Sequence, residues 1–299
     1  MGYYQIKPWE ELTLQDDYMF KLIMGRKRIC KKMLERILNI KIRDIRYIEK
    51  EKSMQARYES KGIRLDVYVE DDENTIYNIE MQVRKLEGDS LARRTRYYQS
   101  MIDVDLLDRG MSYDKLNNSY IIFICPFDPV GKGRHIYTFN NTCQEDKTVT
   151  LADGTTKMFL NTKSTMNDVS PAVRAFLDYV DTAVVGNDEF VQEINEEIKK
   201  VKLIETEMKS YMTYEMQVRE WRNEGREEGL AEGLEKGRKE GLTKGRKEGL
   251  AAGKIEEKLA VAVSLLKEKL DLSFIMRVTE LSADDIRKIA AKNGLSVVG

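Results

Sequence analysis

Arg64-Leu65-Asp66-Val67-Tyr68-Val69-Glu70 is followed, after a short polar stretch, by Thr75-Ile76-Tyr77-Asn78-Ile79-Glu80-Met81-Gln82-Val83. Both segments alternate polar with apolar residues, the period of a strand with one face toward a core. Asp71-Asp72-Glu73-Asn74 between them has the composition of a turn, so the pair predicts a β-hairpin. Arg64, Asp66, Tyr68 and Glu70 share one side of the first strand, and Asn78, Glu80 and Gln82 share one side of the second. Directly paired residues lie on the same face of a sheet. The two polar sides therefore coincide if the loop has an odd length, or an even length with one bulge. In that register Asp66 lies beside Glu80, with Gln82 two residues along the same face.

Outward from the hairpin, residues 14–39 carry apolar side chains at helical spacing with a break near Gly25, which predicts two short helices. Thr13 stands in front as an N-cap, with Asp16 in a capping-box-like position. Residues 40–50 have the β-branched pattern of a strand. After the hairpin the spacing predicts a long helix over 89–107 with Gly110 as its C-cap. Residues 120–127 form a nearly continuous apolar run, expected of a strand covered on both faces. Weaker strands follow at 136–139 and 157–160, and helix resumes near Pro171. Past Gly186 the composition turns to Glu, Lys, Arg and Gly. The chain thus divides into a mixed α/β domain over 1–185, a charged glycine-repeat helical or linker segment over 186–253, and a small helical segment over 254–299.

The 299 residues contain 50 Lys+Arg, 51 Asp+Glu and one histidine, for a formal net charge of −1. A lone histidine, His135, excludes metal sites built from several imidazoles within one chain. It also leaves any nucleophile–histidine mechanism a single candidate, and its place near Gly131-Lys132-Gly133 reads as a loop or strand edge. Near-neutrality removes the strongly basic signature of a nucleic-acid binder, so any basic surface is local. Cys30, Cys125 and Cys143 have no CxxC spacing and fit thiols in a reducing compartment. With no secretory leader pattern and no long apolar run, the expectation is a soluble, cytoplasmic protein.

Two carboxylates held side by side repel unless one is protonated or a cation lies between them. A divalent ion with oxygen ligands resolves the conflict, and Mg²⁺ commonly takes one or two protein carboxylates plus waters and substrate phosphate. Such an ion activates water and stabilises charge developing on a phosphodiester. Gln82 brings an amide able to orient a water or a phosphate oxygen. The competing reading is an ordinary half-exposed antiparallel sheet with polar residues facing solvent.

Asp66 followed on the next strand by Glu80-Met81-Gln82 resembles the D…(D/E)-x-K core of the PD-(D/E)XK nuclease superfamily. It is closer still to the Rpn family of recombination-promoting nucleases, often labelled transposases, in which E-x-Q replaces E-x-K. Asp17-Tyr18-Met19-Phe20-Lys21 resembles the family's D-x-x-F-K on its first helix. Arg93-x-x-Arg96-Tyr97 and Gly110-x-x-Tyr113 resemble the elements after the core. The resemblance covers roughly 12–185, and the glycine repeat is similar to tails in the same family. It implies a restriction-endonuclease-like mixed sheet flanked by helices, followed by a long helical C-terminal tail. It also implies a metal-dependent DNA endonuclease using Mg²⁺ or Mn²⁺, tied to recombination, mobile elements or defence. By matched position Asp66, Glu80 and Gln82 are the catalytic residues; Asp66 and Glu80 bind the metal, with Asp17 a further metal-site residue approaching from the first helix, and Gln82 takes the place of the superfamily lysine.

Arg84, Lys85, Arg93, Arg94 and Arg96 follow the core closely, and of these Arg84, Lys85, Arg93 and Arg96 are the expected DNA contacts. In the tail, Gly225, Gly229, Gly233, Gly237, Gly241, Gly245, Gly249 and Gly253 recur every fourth residue. Each step turns the stripe about 40° around an ideal helix, and each interior glycine costs about 1 kcal/mol relative to alanine. The segment is either a groove for a supercoiled neighbour in a homo-oligomer or a duplicated linker, helical in part. Ser282 before Ala283-Asp284-Asp285 caps a last helix, whose leading acids suit packing better than DNA reading. Two functions compete: an active endonuclease, or a nuclease-fold protein with weak or no catalysis that binds DNA or protein. An integrase-type transposase suits a hairpin pair of acids poorly.

Overall fold

The computed structural model describes residues 7–55, 61–85 and 90–299. Two compact units divide at Glu215/Met216. The first holds a six-stranded sheet in the order β1-β2-β3-β4-β6-β5. The strands are β1 Ile45–Met54, β2 Ile63–Asp71, β3 Ile76–Met81, β4 Ser119–Cys125, β5 Ile136–Phe139 and β6 Thr155–Asn161. β3, β4 and β6 run parallel to one another, and β1/β2, β2/β3 and β5/β6 pair antiparallel. The helices of this unit are α1 Asp17–Met24, α2 Lys27–Leu38, α3 Leu91–Leu106, α4 Pro171–Thr182 and α5 Glu189–Lys202; α6 Glu205–Lys267 begins in it. This is the mixed, helix-flanked sheet with a long C-terminal helix that the sequence pointed to.

The apolar run of β4 is explained by cover on both faces. Ile122 and Ile124 join Val67, Val69, Ile79 and Met81 in the main core with α1, α2, α4 and α5. Ile121 and Phe123 look the other way, against Tyr98 of α3. Tyr68 and Ile76 meet Met101 and Ile102 of the same helix. The hairpin register is the one the alternation requires: Val67 pairs with Ile79, Tyr68 with Asn78, Val69 with Tyr77 and Glu70 with Ile76. The five residues between the last paired positions are tied by Asp71. Its Oδ1 accepts from the N–H groups of Glu73 (2.9 Å) and Thr75 (2.8 Å), and its Oδ2 accepts from the Tyr77 hydroxyl at 2.8 Å.

Local details depart from the sequence reading. The first strand starts at Ile45, because the Ile42 N–H is taken by the Glu35 carboxylate (3.0 Å) and not by a neighbouring strand. Asp16 and not Thr13 caps α1; its carboxylate accepts from the Thr13 N–H (2.8 Å) and hydroxyl (3.0 Å). α3 ends when Leu107 turns extended, so Gly110, at φ 90°, serves a later turn. Asp89, where the spacing puts the start of that helix, lies outside the described residues, and Ser90 caps it. The composition change at Gly186 falls inside the first unit: Phe190, Val191, Ile194, Ile198 and Val201 of α5 pack into the main core with Tyr211 of α6.

In the second unit α7 Leu272–Thr279 and α8 Ala283–Lys292 close a small core around Ala262, Leu266, Leu272, Ile275, Ile286 and Ala290. The Ser282 hydroxyl caps α8 at the Asp285 N–H, 3.2 Å away. The glycine repeat lies within the continuous α6, and a Cβ built at any of its eight positions meets nothing within 4 Å. No helix among the described residues is long and apolar enough to cross a membrane.

Asp71→Ala strips three donors of their acceptor and is expected to cost about 3 kcal/mol in denaturant unfolding; a loss under about 0.5 kcal/mol would show that the loop holds its register without it. Replacing Gly229, Gly237 and Gly245 by Ala should raise far-UV helicity and stabilise α6 by about 1 kcal/mol per site. Reduced helicity would instead mark the glycine row as a packing seam.

Candidate active site

Asp66 lies on β2 just before Val67, and Glu80 lies on β3 just after its partner Ile79, so the two carboxylates face each other across the hairpin. Each is held by the other strand. The Asp66 N–H donates to Glu80 Oε1 at 3.1 Å, and the Met81 N–H donates to Asp66 Oδ2 at 3.1 Å. The face they share is not open to water as an ordinary hairpin face would be. α3 covers it, leaving Glu80 5% exposed and Asn78, two residues earlier on that face, 0% exposed. The Asn78 amide lies beside Glu80 and moderates the rise of its carboxyl.

Burial penalises both charges. It pushes the Asp66 carboxyl up to about 6, helped by the nearby Asp17 charge and opposed by Lys21 and the Met81 N–H. Glu80 is raised well above the usual carboxylate range, first by burial and then by the Asp66 charge. The pair therefore keeps hold of a proton that solvent-exposed carboxylates would release.

Helix α1 brings two more groups. Lys21 is buried, and its ammonium lies 2.7 Å from Asp17, 3.1 Å from Glu51 and 3.5 Å from Asp66 Oδ1. Burial alone would lower its pKa, but the Asp17, Asp66 and Glu51 charges outweigh that and raise it above the ordinary lysine value. Asp17 also accepts from the Tyr214 hydroxyl at 3.2 Å, so it joins the carboxylate pair through Lys21. Glu51 went unforeseen from the sequence. Its neighbours Lys50 and Lys52 pair with Val67 and Leu65, which places it across from Asp66. Its one signal was membership of the charged run 49–52, and such a run reads equally well as solvent-facing polarity.

Gln82 continues the same face, with its carbonyl accepting from Arg94 at 2.6 Å and its amide donating to the Arg84 carbonyl. Arg94 also lies over the Phe123 ring, 5.9 Å from its centroid. Among the five basic residues near the core, Arg94 is the one turned inward, while Arg84, Lys85, Arg93 and Arg96 are exposed. Its phase could have been read: Leu91, Thr95, Tyr98 and Ile102 recur on the inward stripe of α3, and Arg94 falls among them. His135 is buried with its Nδ1 2.5 Å from Asp168, a structural pairing away from this chemistry.

Two facing carboxylates, with the buried Asn78 amide beside Glu80, form an oxygen donor set that suits a hard divalent cation, with water and phosphate filling the remaining positions. No three or more Asp, Glu, His or Cys side chains among the described residues form a metal-binding group. Asp66 and Glu80 would therefore be the protein's share, with Asp17 reaching them through Lys21.

A carboxyl whose native pKa is raised stabilises the fold below its unfolded value of 3.8 and loses that contribution as pH climbs through about 6. Metal-free protein should therefore lose stability over that window. Asp66→Asn should melt a few degrees higher than the parent at pH 7.5, with the gap shrinking by pH 4.5. A gap independent of pH in thermal melts would refute the buried-charge account.

No curated protein and no solved structure matches the chain. A family model described as PD-(D/E)XK nuclease family transposase matches residues 14–223, a span that takes in the sheet, the hairpin carboxylates, Lys21 and the start of α6. That match extends over more than half of the chain and coincides with the unit that builds the carboxylate pair, and the protein belongs to the PD-(D/E)XK nuclease family transposases.

Proposed function

We propose that this protein is a metal-dependent DNA endonuclease that hydrolyses phosphodiester bonds, with Asp66 and Glu80 holding Mg²⁺ or Mn²⁺. The observation that carries the reading is the pair itself: two facing, buried carboxylates whose repulsion a divalent cation relieves. Bound there, such an ion supplies Lewis-acid polarisation of the phosphate and of the attacking water. In the reaction water adds to phosphorus, the ester P–O bond breaks, and the departing oxygen ends with a proton as the new hydroxyl.

The chain's own groups divide the remaining work. The reciprocal backbone bonds hold Asp66 and Glu80 in fixed orientations, so little reorganisation is needed when charge develops. Gln82, fixed by Arg94 and the Arg84 carbonyl, presents a neutral amide beside the pair. The exposed Arg84, Lys85, Arg93 and Arg96 contact phosphates along the DNA and supply the local positive surface that the net charge conceals. The setting is cytoplasmic, with recombination, element mobility or defence as the context. A second reading, a DNA- or protein-binding module with weak catalysis, is favoured by one observation: a neutral glutamine stands where a lysine would complete the superfamily pattern.

Supercoiled plasmid incubated with the full chain and Mg²⁺ or Mn²⁺ decides between them. The parent should nick or linearise the plasmid, and Asp66→Ala and Glu80→Ala should each lower the rate by about 100-fold or more. Equal cutting by parent and variants would remove the site. No cutting by any of them, with DNA still bound, would leave the binding reading.

A further inference from the structure

A phosphodiester under attack gains negative charge, and the two carboxylates meet that charge poorly without a fixed cation; Arg94 lies on the Glu80 side, with its guanidinium engaged by the Gln82 carbonyl, and leaves the Asp66 side to another group. The neutral Gln82 supplies no cation. Lys21 lies at the same carboxylate from the opposite direction. Its side chain is 7% exposed and descends from α1, one turn after Asp17. Its three ammonium protons face three carboxylates from three different elements: Asp17 on α1, Glu51 on β1 and Asp66 on β2. Distances of 2.7, 3.1 and 3.5 Å show that the two outer acids hold it closely and that Asp66 is the looser partner.

This arrangement exceeds what charge neutralisation requires. A buried lysine needs a single carboxylate to offset it, and Asp17 at the i−4 position already provides one. Glu51 is recruited at a cost, since it sits within β1 at φ 60°, a left-handed conformation that a non-glycine residue adopts at about 1–3 kcal/mol. Lys21 is thereby anchored from behind by Asp17 and Glu51 and brought up to the edge of the carboxylate pair.

We infer that Lys21 is the fixed positive charge on the Asp66 side of the active site, delivered from helix α1 in place of the lysine that position 82 lacks. The inference rests on the nuclease reading above. It holds the Asp66 carboxylate in place and stabilises the negative charge that builds on the phosphate and the attacking oxygen. Asp17 and Glu51 are positioning residues toward Lys21, since both hold its ammonium in place.

The test relocates the charge. Full-length parent, Lys21→Gln, and Lys21→Gln combined with Gln82→Lys are compared for plasmid cleavage in Mg²⁺. Mn²⁺ binding is followed by calorimetry, DNA binding in Ca²⁺ by fluorescence anisotropy, and folding by thermal melting. Lys21→Gln should bind Mn²⁺ and DNA within about threefold of the parent while kcat falls by about 100-fold. Adding Gln82→Lys should return at least about tenfold of that loss, because a lysine again faces the pair from the neighbouring strand. Should Lys21→Gln fail to fold, Lys21→Arg carries the test and should keep kcat within about tenfold of the parent. Cleavage by Lys21→Gln at the parent rate overturns the inference and leaves the nuclease reading standing. So does a loss that Gln82→Lys leaves unrepaired, or a loss in which Mn²⁺ binding disappears with activity, because either makes Lys21 merely structural. A parent that cuts no DNA takes away the nuclease reading and this inference with it.

Discussion

Two carboxylates facing each other beneath a helix set the terms for the rest of this structure. A lone ionised carboxylate is costly in a poorly hydrated interior, and a second one beside it adds repulsion. The hairpin answers with backbone N–H groups, one from each strand to the carboxylate of the other. Helix α1 answers with the ammonium of Lys21. What these leave unmet appears as the upward displacement of both carboxyls, and a divalent cation would complete the compensation.

The sheet gives its two faces different duties. On one, Val67, Val69, Ile79, Met81, Ile122 and Ile124 are buried against α1, α2, α4, α5 and Tyr211 of α6 in a plain apolar core. On the other, α3 supplies apolar cover through Tyr98, Met101 and Ile102, and also Arg94, whose guanidinium fixes Gln82. Because β3 and β4 run parallel, with α3 as the connection between them, the helix that follows the hairpin in sequence is the one that roofs its polar residues. Proximity in the chain and proximity in space thus agree on this side of the sheet. They disagree for Lys21, which comes from helix α1, ahead of β1, and reaches Asp66 by packing.

This division explains what could be read from the residues alone. The hairpin, its polar face and the facing of Asp66 with Glu80 follow from a period of two and a loop of odd length, both local properties. β4 was legible because an unbroken apolar run has few other uses in a chain this charged. The start of β1 was misplaced because a Glu35 side chain takes a backbone N–H that a strand would otherwise have used. The glycine repeat was visible as a repeat, but whether it stayed helical depended on continuity with α5's core at one end and the α7–α8 core at the other. By residue type Thr13 and Gly110 suit helix ends, but Asp16 and Leu107 take those roles through their own side-chain and backbone geometry.

By itself the sequence determined the class of fold, the identity of the carboxylate pair and the family pattern around it, since alternation, turn composition and motif order are encoded within short windows. Only the tertiary structure decided that α3 covers the pair, that Lys21 bridges Glu51 and Asp66, and that Arg94 turns inward while Arg93 and Arg96 stay outside. The reason is physical: Coulomb interaction and desolvation depend on distance and cover in three dimensions, and no spacing along the chain fixes either one.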